Sequence, residues 1–529
     1  MEIRRRKNAV LTALLVLPAG LAWQGKLLAQ TDAQTPPTPA PGGTLSAPPA
    51  EAAPPPAPPP PAPPPAPEPP PPMPSLSTTA RPVAPPPPPG PTPSPVLTKF
   101  SATFYGFAEF DSIYDSTQSF VDLAGNGAVA HDMSTTNAAG VTTTATTYAA
   151  HHDRFTFGAR NSRLGFKLKG PASDSVKASG QFEGDFIGTL PLGAPNPVGT
   201  PPVTESSFFT SPVFRIRHFN AKMETPYVDI LAGQYWQLFG WQAMFLPCTV
   251  QIQGVPGLLF ARVPQFRLSH TFKGNAIDFE IAAAASRPPQ RNSGTPDAQA
   301  GLRLALNGWK GLRTANSTGT SVDALQIGVS GVGRHFRVPN LSGAPTSTVT
   351  MNGGGVAFDA LIPIIPAKTV KDGNALTLTG EFVYGQSIAD TYTGLTGGAS
   401  FAAPPANAMG MPQVYPQDVD NGNLAFTADG VLHAIRWWST IVGLQYFFPT
   451  STRMFVAANY SHMKSPNIDV LGPTSNARFN KSDWVDANFF IDPNDALRFG
   501  VEYAYTHQNY LSGDVGKNSR VQFSMFYIF

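Results

Sequence analysis

The chain contains little cysteine and little charge, and both scarcities exclude common classes of protein. Cysteine occurs once among 529 residues, at Cys248. A single cysteine excludes an internal disulfide framework and a zinc site made of several cysteines. Charged residues account for 13% of the chain, and the formal net charge is +2. This balance argues against a strongly basic nucleic-acid-binding protein and against an acidic disordered chain, so we expect no nucleic-acid partner.

Long apolar runs are also lacking. Residues 4–7 are basic, residues 9–22 are mostly apolar, and residues 27–29 offer a small-residue cleavage site. This order predicts a secretory signal peptide over residues 1–30. Downstream of it we find no run of about 18 or more apolar residues, so no transmembrane helix is predicted there.

Proline, by contrast, is concentrated near the N-terminus. More than half of the 58 prolines lie between Pro36 and Pro95. Because proline fixes φ and removes the amide donor, residues 31–98 are predicted to be a disordered, extended linker that forms neither helix nor sheet. At about 3.1 Å per residue such a segment reaches on the order of 200 Å. We expect it to lie in the periplasm, either as a spacer or as a segment that binds cell-wall polymer.

Residues 99–529 show a different pattern, in which apolar and polar residues alternate. In one segment Val176, Ala178, Gly180, Phe182, Gly184 and Phe186 alternate with Lys177, Ser179, Gln181, Glu183 and Asp185. A period of two predicts a strand and excludes a helical face. A β-barrel in lipid needs this alternation, with apolar side chains outside and polar side chains inside. A single strand of a soluble sandwich would look the same.

The number and spacing of such segments favour a barrel. Sixteen strands are predicted, at residues 102–114, 154–169, 175–187, 213–224, 227–238, 264–273, 276–286, 298–307, 323–334, 353–364, 374–386, 430–449, 452–462, 482–492, 496–508 and 517–529. The links after strands 2, 4, 6, 12 and 14 are short, and those after strands 1, 3, 5, 9, 11 and 13 are long. This is typical of a transmembrane barrel, although the link after strand 8 (308–322) is longer than the pattern predicts. The predicted fold is an all-β, 16-stranded antiparallel transmembrane β-barrel.

The last strand carries a further signal. Its two faces consist of Val521, Phe523, Met525, Tyr527 and Phe529 on one side and Arg520, Gln522 and Ser524 on the other. An aromatic, alternating strand that ends in phenylalanine resembles the sorting signal read by the outer-membrane barrel assembly machinery. We therefore expect the barrel to lie in the outer membrane of a Gram-negative cell.

Several short motifs resemble those of DcaP-like outer-membrane porins. They are RLGFK at 163–167, TFYG at 103–106, RIRH at 215–218, LAGQYW at 231–236, GVSG at 328–331 and GE at 380–381. The resemblance covers about residues 100–529. It implies a 16-stranded barrel, usually trimeric, that carries small and often anionic solutes. Members of that family can begin with a helical coiled coil, whereas this chain begins with a proline-rich segment.

A barrel of sixteen strands encloses a channel too wide for side chains to fill. Its function then depends on pore width, on the charge of the lining and on any loop folded inward. The candidate constriction is the loop at 240–263, which contains Gln251, Gln253 and Arg262. The alternative is that this loop lies on the outer surface.

Strand parity also assigns charged residues to the lumen. The basic ones are Arg163, Lys167, Arg215, Arg217, Arg267, Arg303, Arg498 and Arg520, and the acidic ones are Glu109, Asp111, Glu183, Asp185, Asp278, Glu280, Asp359, Glu381, Asp486 and Glu502. The forked guanidinium group suits carboxylate and phosphate, which favours small anionic solutes. The alternative is that each charge is solvated or pairs with a neighbouring strand.

Taken together, the sequence predicts a porin for passive diffusion of small hydrophilic solutes, with outer-membrane lipid around it and two further copies of the chain in a homotrimer. No enzyme is predicted, because the histidines are scattered and no metal, cofactor or nucleophile motif is present. The alternative function is an anchor that tethers the membrane to the cell wall through the proline-rich arm.

Overall fold

The computed structural model describes residues 100–529, apart from 124–127, 138, 172, 174, 189–211, 252–253, 289–292, 316–318, 341–344, 394–421, 428–429, 450–452, 472–475 and 477. The predicted signal peptide and proline-rich linker lie outside the described residues.

Strands dominate this part of the chain. The strands are β1 (Ser101–Asp115), β2 (Met133–Thr136), β3 (Thr142–Ala145), β4 (Arg154–Gly158), β5 (Arg163–Lys169), β6 (Lys177–Gly188), β7 (Val213–Glu224), β8 (Asp229–Trp236), β9 (Arg262–Phe272), β10 (Ile277–Ser286), β11 (Asp297–Arg313), β12 (Ser321–Pro339), β13 (Thr348–Ile365), β14 (Ala375–Gln386), β15 (Leu424–Phe426), β16 (Leu432–Ala434), β17 (Arg436–Phe447), β18 (Met454–Lys464), β19 (Phe479–Asn494), β20 (Leu497–Tyr510) and β21 (Val515–Ile528). The short helices are α1 (Tyr148–His151) and the 3-10 turns Ala389–Thr391 and Ile468–Leu471.

The main sheet closes on itself. Consecutive strands from β5 to β14 and from β17 to β21 pair antiparallel, and β14 pairs with β17. The first strand, β1, pairs with β21 on one side and with both β4 and β5 on the other. Since β4 and β5 together occupy one position in the wall, the sheet is a closed 16-stranded antiparallel barrel. The predicted fold class is confirmed.

The second predicted strand, 154–169, is interrupted in the structure. Residues 159–162 form a turn between β4 and β5. In this turn the Asn161 amide donates to Asp111 Oδ2 at 2.7 Å, and the Glu109 backbone N–H donates to Ser162 Oγ at 2.9 Å. The break is therefore stabilised by polar groups of β1, which parity within one strand does not reveal.

Two other predicted boundaries were wrong. The link predicted at 308–322 is shorter, because β11 continues to Arg313 and a β-bulge between Leu306 and Lys310 breaks its alternation. The twelfth predicted strand, 430–449, begins at Arg436 instead, because β16 turns away to pair with β15. Buried Ile435 separates the two elements and bonds through its backbone to Ser387 and Asn423.

The connections differ between the two ends of the barrel. At one end they comprise residues 170–176, 225–228, 273–276, 314–320, 366–374, 448–453 and 495–496. At the other end they are L1 (116–153), L2 (189–212), L3 (237–261), L4 (287–296), L5 (340–347), L6 (387–435), L7 (465–478) and L8 (511–514). The longest connections, L1, L2, L3, L6 and L7, join strands at this second end, as the sequence predicted. L5, which was also predicted to be long, spans only residues 340–347, because β12 and β13 extend beyond their predicted ends.

The wall has an apolar outer face and a polar inner face. On β21, Val521, Phe523 and Met525 are exposed, whereas Arg520 and Gln522 between them are buried. Exposed apolar side chains recur at alternate positions of β9, β13 and β17. No helix in the described part of the chain is long and apolar enough to cross a membrane.

A buried ion pair lies where the barrel closes. Arg520 of β21 donates from Nε and Nη2 to the two carboxylate oxygens of Asp115 on β1, at 2.9 and 2.7 Å. Both side chains are 1% exposed. The Arg520 Nη2 also donates to the Val121 carbonyl of L1 at 2.9 Å. One guanidinium group therefore joins the first strand, the last strand and the first long loop.

We predict that Arg520→Met destabilises the barrel by about 3–5 kcal/mol, because it leaves the Asp115 carboxylate buried without its cation. The double variant Asp115→Asn/Arg520→Met should recover part of this loss. Urea unfolding followed by tryptophan fluorescence measures both effects.

The matched control for this prediction is Arg453→Met, since Arg453 pairs with Asp495 in an exposed turn. An exposed pair contributes about 1 kcal/mol or less. If Arg520→Met lowers the free energy of unfolding no more than this control does, the Asp115–Arg520 pair does not stabilise the barrel.

Candidate functional site

The loop L3 lies inside the barrel and is held there by inward-facing side chains. The backbone N–H groups of Leu238 and Phe239 both donate to Gln299 Oε1 on β11 at 2.9 Å. The next amide, Gly240, donates to Ser330 Oγ on β12 at 2.7 Å. Because buried amides need acceptors, these polar side chains let the loop leave the wall and enter the lumen.

The middle of L3 reaches distant strands of the wall. The Val250 backbone N–H donates to Asn488 Oδ1 on β19 at 2.8 Å, and the Gln251 N–H donates to Glu502 Oε2 on β20 at 2.9 Å. On the β18 side, Asn459 donates to the Cys248 carbonyl at 2.8 Å. The loop therefore crosses the interior from β8 to β18–β20.

The crossing depends on local features of the sequence. Gly240 has a φ of 82°, a conformation that favours glycine. The indole of Trp241 lies against Gly301 and Gly328, where an added Cβ would come within 2.9 and 2.8 Å of its ring. Its Nε1 donates to the Leu302 carbonyl at 3.1 Å. Two glycines of the wall thus provide the space that fixes the start of L3.

L1 also enters the barrel and packs against L3. Phe120 and Val129 of L1 form one buried cluster with Val255 of L3 and with Trp484 of the wall. Burial raises the pKa of the L1 carboxyl Asp122, and the guanidinium of Arg160, 3.3 Å away, opposes this rise. L1 and L3 therefore share a core inside the lumen.

Carboxyl groups line the wall that L3 covers. Asp359 of β13 lies opposite Glu381 of β14 in the register, and both side chains are buried. The Leu259 backbone N–H of L3 donates to Glu381 Oε1 at 2.9 Å. On the next part of this wall, Asp486 and Glu502 are also buried. Glu381 and Glu502 therefore accept bonds from the L3 backbone, and all four carboxyl groups are buried.

Arginines form a cluster on the other side, on β5, β7 and β9. Arg215 donates to both oxygens of Asp185, at 2.9 and 2.6 Å. Arg217 donates to Glu183 Oε1 at 2.7 Å and to Asp185 Oδ2 at 3.1 Å. The Arg163 Nε lies 3.7 Å from Glu183, beyond hydrogen-bond distance. Two carboxylates of β6 thus serve three arginines.

Arg262 completes this cluster without a carboxylate of its own. The structure places it as the first residue of β9, and not within the loop as the sequence predicted. Its guanidinium stacks on Trp236 and Phe260, at 4.8 and 5.3 Å from the ring centroids. Among the described residues it has no hydrogen-bond or ion-pair partner, and its Nη1 is buried. We call Arg163, Arg215, Arg217 and Arg262 the arginine cluster.

The cluster carries an excess of positive charge. Its charged neighbours include Glu183, Asp185 and Glu109. The four guanidinium groups outnumber Glu183 and Asp185, the two carboxylates at ion-pair distance from Arg163, Arg215 and Arg217. Positive charges held this close at low dielectric repel one another, and a bound anion would lower that repulsion.

The other predicted residues lie apart from the cluster. Lys167 is exposed over the Tyr105 ring at 4.8 Å. Arg267 donates to Gln265 and to the Trp236 carbonyl, at 3.0 and 2.6 Å. Arg303 pairs with Glu280 and donates to Gln326 at 2.5 Å. Asp111 accepts bonds from Asn161, Gln522 and Ser524. Gln253 lies outside the described residues, whereas the side chain of Gln251 donates to the Gly254 carbonyl at 2.8 Å within L3.

Sequence analysis missed the uncharged acceptors and donors that hold L3. They are Gln299, Ser330, Asn459, Ser461 and Asn488. All five are buried and belong to the polar face of their strands. Parity places them on the inner face, but a water-filled lumen also takes amides and hydroxyls there, so parity alone does not identify the ones that hold L3. Among the described residues, no group of three His, Cys, Asp or Glu side chains could hold a metal ion.

No family model and no curated protein matches the chain. Among solved structures, the outer membrane channel DcaP of Acinetobacter baumannii aligns with a TM-score of 0.54 at 16% sequence identity, covering 81% of this chain and 97% of that chain. The anion-selective porin from Comamonas acidovorans aligns with a TM-score of 0.45 at 11% identity, covering 81% of this chain and 100% of that chain. At these identities the likeness to DcaP shows a shared fold, and it supports at that level the resemblance found in the sequence motifs.

Proposed function

We propose that this protein is a porin of the outer membrane, through which small hydrophilic solutes diffuse passively. The apolar outer face suits lipid, and the polar inner face suits water. The single observation that carries the proposal is the course of L3, which crosses the lumen and is bonded to β11, β12, β14, β19 and β20. A loop in this place narrows a wide barrel on one side only.

The arginine cluster lies on β5, β7 and β9, away from the strands that bond the middle of L3, and its Arg215 side chain is 32% exposed. We infer that the cluster faces the solute path, and that it favours small anions such as carboxylates. Arg262 supports this inference, because its guanidinium is held by ring stacking and its donors have no carboxylate to bind within the part of the chain that the structure describes. A passing carboxylate would supply the acceptor that these donors lack. The neighbouring structure DcaP, an outer membrane channel, supports the proposed class of function.

We propose that the protein forms a homotrimer. Outward-facing phenylalanines cover the wall near the closure: Phe104 stacks on Phe529 and lies 5.1 Å from Phe166, and Phe110 stacks on Phe157. Such an aromatic surface would suit contact with a second copy of the chain as well as with lipid. We propose that the subunits of the homotrimer contact one another at this aromatic surface.

We predict that the channel prefers anions and that Arg262→Gln weakens this preference. One unit charge at 10 Å contributes about 0.4 to 1.7 kcal/mol between dielectric constants of 80 and 20. The ratio of anion to cation permeability should therefore fall about twofold or more. Reversal potentials in planar bilayers under a salt gradient measure this ratio.

Arg453→Gln is the control for the selectivity measurement, because Arg453 lies in an exposed turn at the short-loop end. A cation-selective reversal in the unmodified protein would reject the anion preference. Equal shifts in both variants would reject the assignment to the arginine cluster.

We predict that Trp241→Ala raises the single-channel conductance and makes it noisier. The substitution empties the space beside Gly301 and Gly328 and removes the indole donor, so the start of L3 loses its fixed position. Trp438→Ala, at a position beside His462 on β17, serves as control. If a folded Trp241→Ala protein conducts like the control, L3 does not limit the current.

The tethering function concerns residues 31–98 alone and can be tested separately. We predict that deletion of residues 31–96 leaves conductance unchanged, since the barrel closes without them. If the segment also binds cell-wall polymer, the deletion reduces the amount of protein that sediments with purified cell wall. A change in conductance would contradict the assignment of this segment as a linker.

A further inference from the structure

A groove of about 520 Å³ lies at the long-loop end of the barrel, between the ends of β9 and β10 and L4. Its lining includes Gln265, Phe266, Ala285, Ser286, Arg287 and Gly294. Phe266 and Ala285 are exposed, whereas Gln265 and Ser286 beside them are buried towards the interior. By the alternation of the strands, the groove therefore opens on the lipid-facing side of the wall.

Arg287 is the charged residue of this lining. It follows the last residue of β10, and its backbone N–H donates to the Pro264 carbonyl at 2.9 Å. Its side chain is exposed and has no hydrogen-bond or ion-pair partner among the described residues. Two residues beyond Ala285, it lies about 7 Å further along the strand direction.

A second arginine lies beside the groove. Arg337 is on β12 between Phe336 and Val338, which are buried towards the interior, so its side chain belongs to the outer face. A Cβ added to Gly294 in the groove wall would lie 3.4 Å from Cζ, Nη1 and Nη2 of Arg337. The guanidinium of Arg337 is therefore packed against the groove.

Between these two arginines and the membrane centre, the outer face of the wall is apolar. Its outward-facing residues near the groove are small, and leucines follow further down: Ala283, Ala285, Ala298, Ala300, Leu302 and Leu304. Next to Phe266 these alanines form a shallow depression. The groove thus lies where an apolar band ends and positive charge begins.

We propose that this groove binds a phosphate-bearing lipid of the outer leaflet, with Arg287 and Arg337 on its phosphate and the alanine surface under an acyl chain. The proposal rests on the placement of the barrel in the outer membrane under the proposed function. Guanidinium groups form charge-assisted hydrogen bonds with phosphate oxygens. The alanine surface distinguishes a lipid from free phosphate, because inorganic phosphate has no apolar part to bury.

The test uses the full-length protein in detergent, with diphosphorylated lipid A as the probe and native mass spectrometry to measure the bound fraction. We expect Arg287→Gln/Arg337→Gln to weaken binding by about tenfold or more, since each charged hydrogen bond is strong. Lipid A without its phosphates should bind the unmodified protein as weakly as diphosphorylated lipid A binds the double variant. The matched control is Arg436→Gln, because Arg436 is exposed at the same end of the barrel on β17.

Three results would overturn the proposal. They are an equal loss of binding in Arg436→Gln, undiminished binding of the phosphate-free lipid, and complete displacement of the lipid by millimolar inorganic phosphate. Circular dichroism of the same preparations shows whether each variant is folded, and their conductance is measured separately. Normal conductance with phosphate-independent lipid binding rejects this inference alone, whereas a folded protein without conductance rejects the proposed function.

Discussion

The structure depends on one constraint, the need of every backbone amide and carbonyl in the wall for a partner where lipid supplies none. An open sheet would leave two edges unpaired, so the first strand must meet the last. Here β1 bonds to β21 over nine register pairs from Phe107↔Ile528 to Asp115↔Arg520. The buried Asp115–Arg520 pair lies at the end of this seam and favours its register, since a shift of β21 by one residue would turn Arg520 towards lipid and leave Asp115 without its cation.

The same constraint acts again inside the lumen. L3 has no strand partner over most of its length, and its amides are too buried to rely on water. They are satisfied by side chains of the inner wall, among them Gln299, Glu381 and Glu502. The polar inner face therefore differs between two sides. On the far side it replaces water for the loop, and on β5, β7 and β9 it carries the arginine cluster.

The fold was predictable because it depends on a period of two, which each strand shows by itself. Errors arose where the period fails locally, at the bulge beside Leu306 and at the turn around Asn161. The site was predictable only in part. Parity placed Arg215, Arg217, Glu183 and Asp185 on the inner face, but which carboxylate each arginine binds depends on register between strands. The position of Arg262 depends on where L3 ends.

The shared core of L1 and L3 links the first long loop to the loop that crosses the lumen. Surface loops tolerate sequence change when nothing packs against them. Here Phe120 and Val129 of L1 share a buried cluster with Val255 of L3, so substitutions at these two positions of the first loop would also disturb L3. The hairpin of β2 and β3 lies outside this buried cluster, and its exposed threonines can therefore vary without disturbing L3.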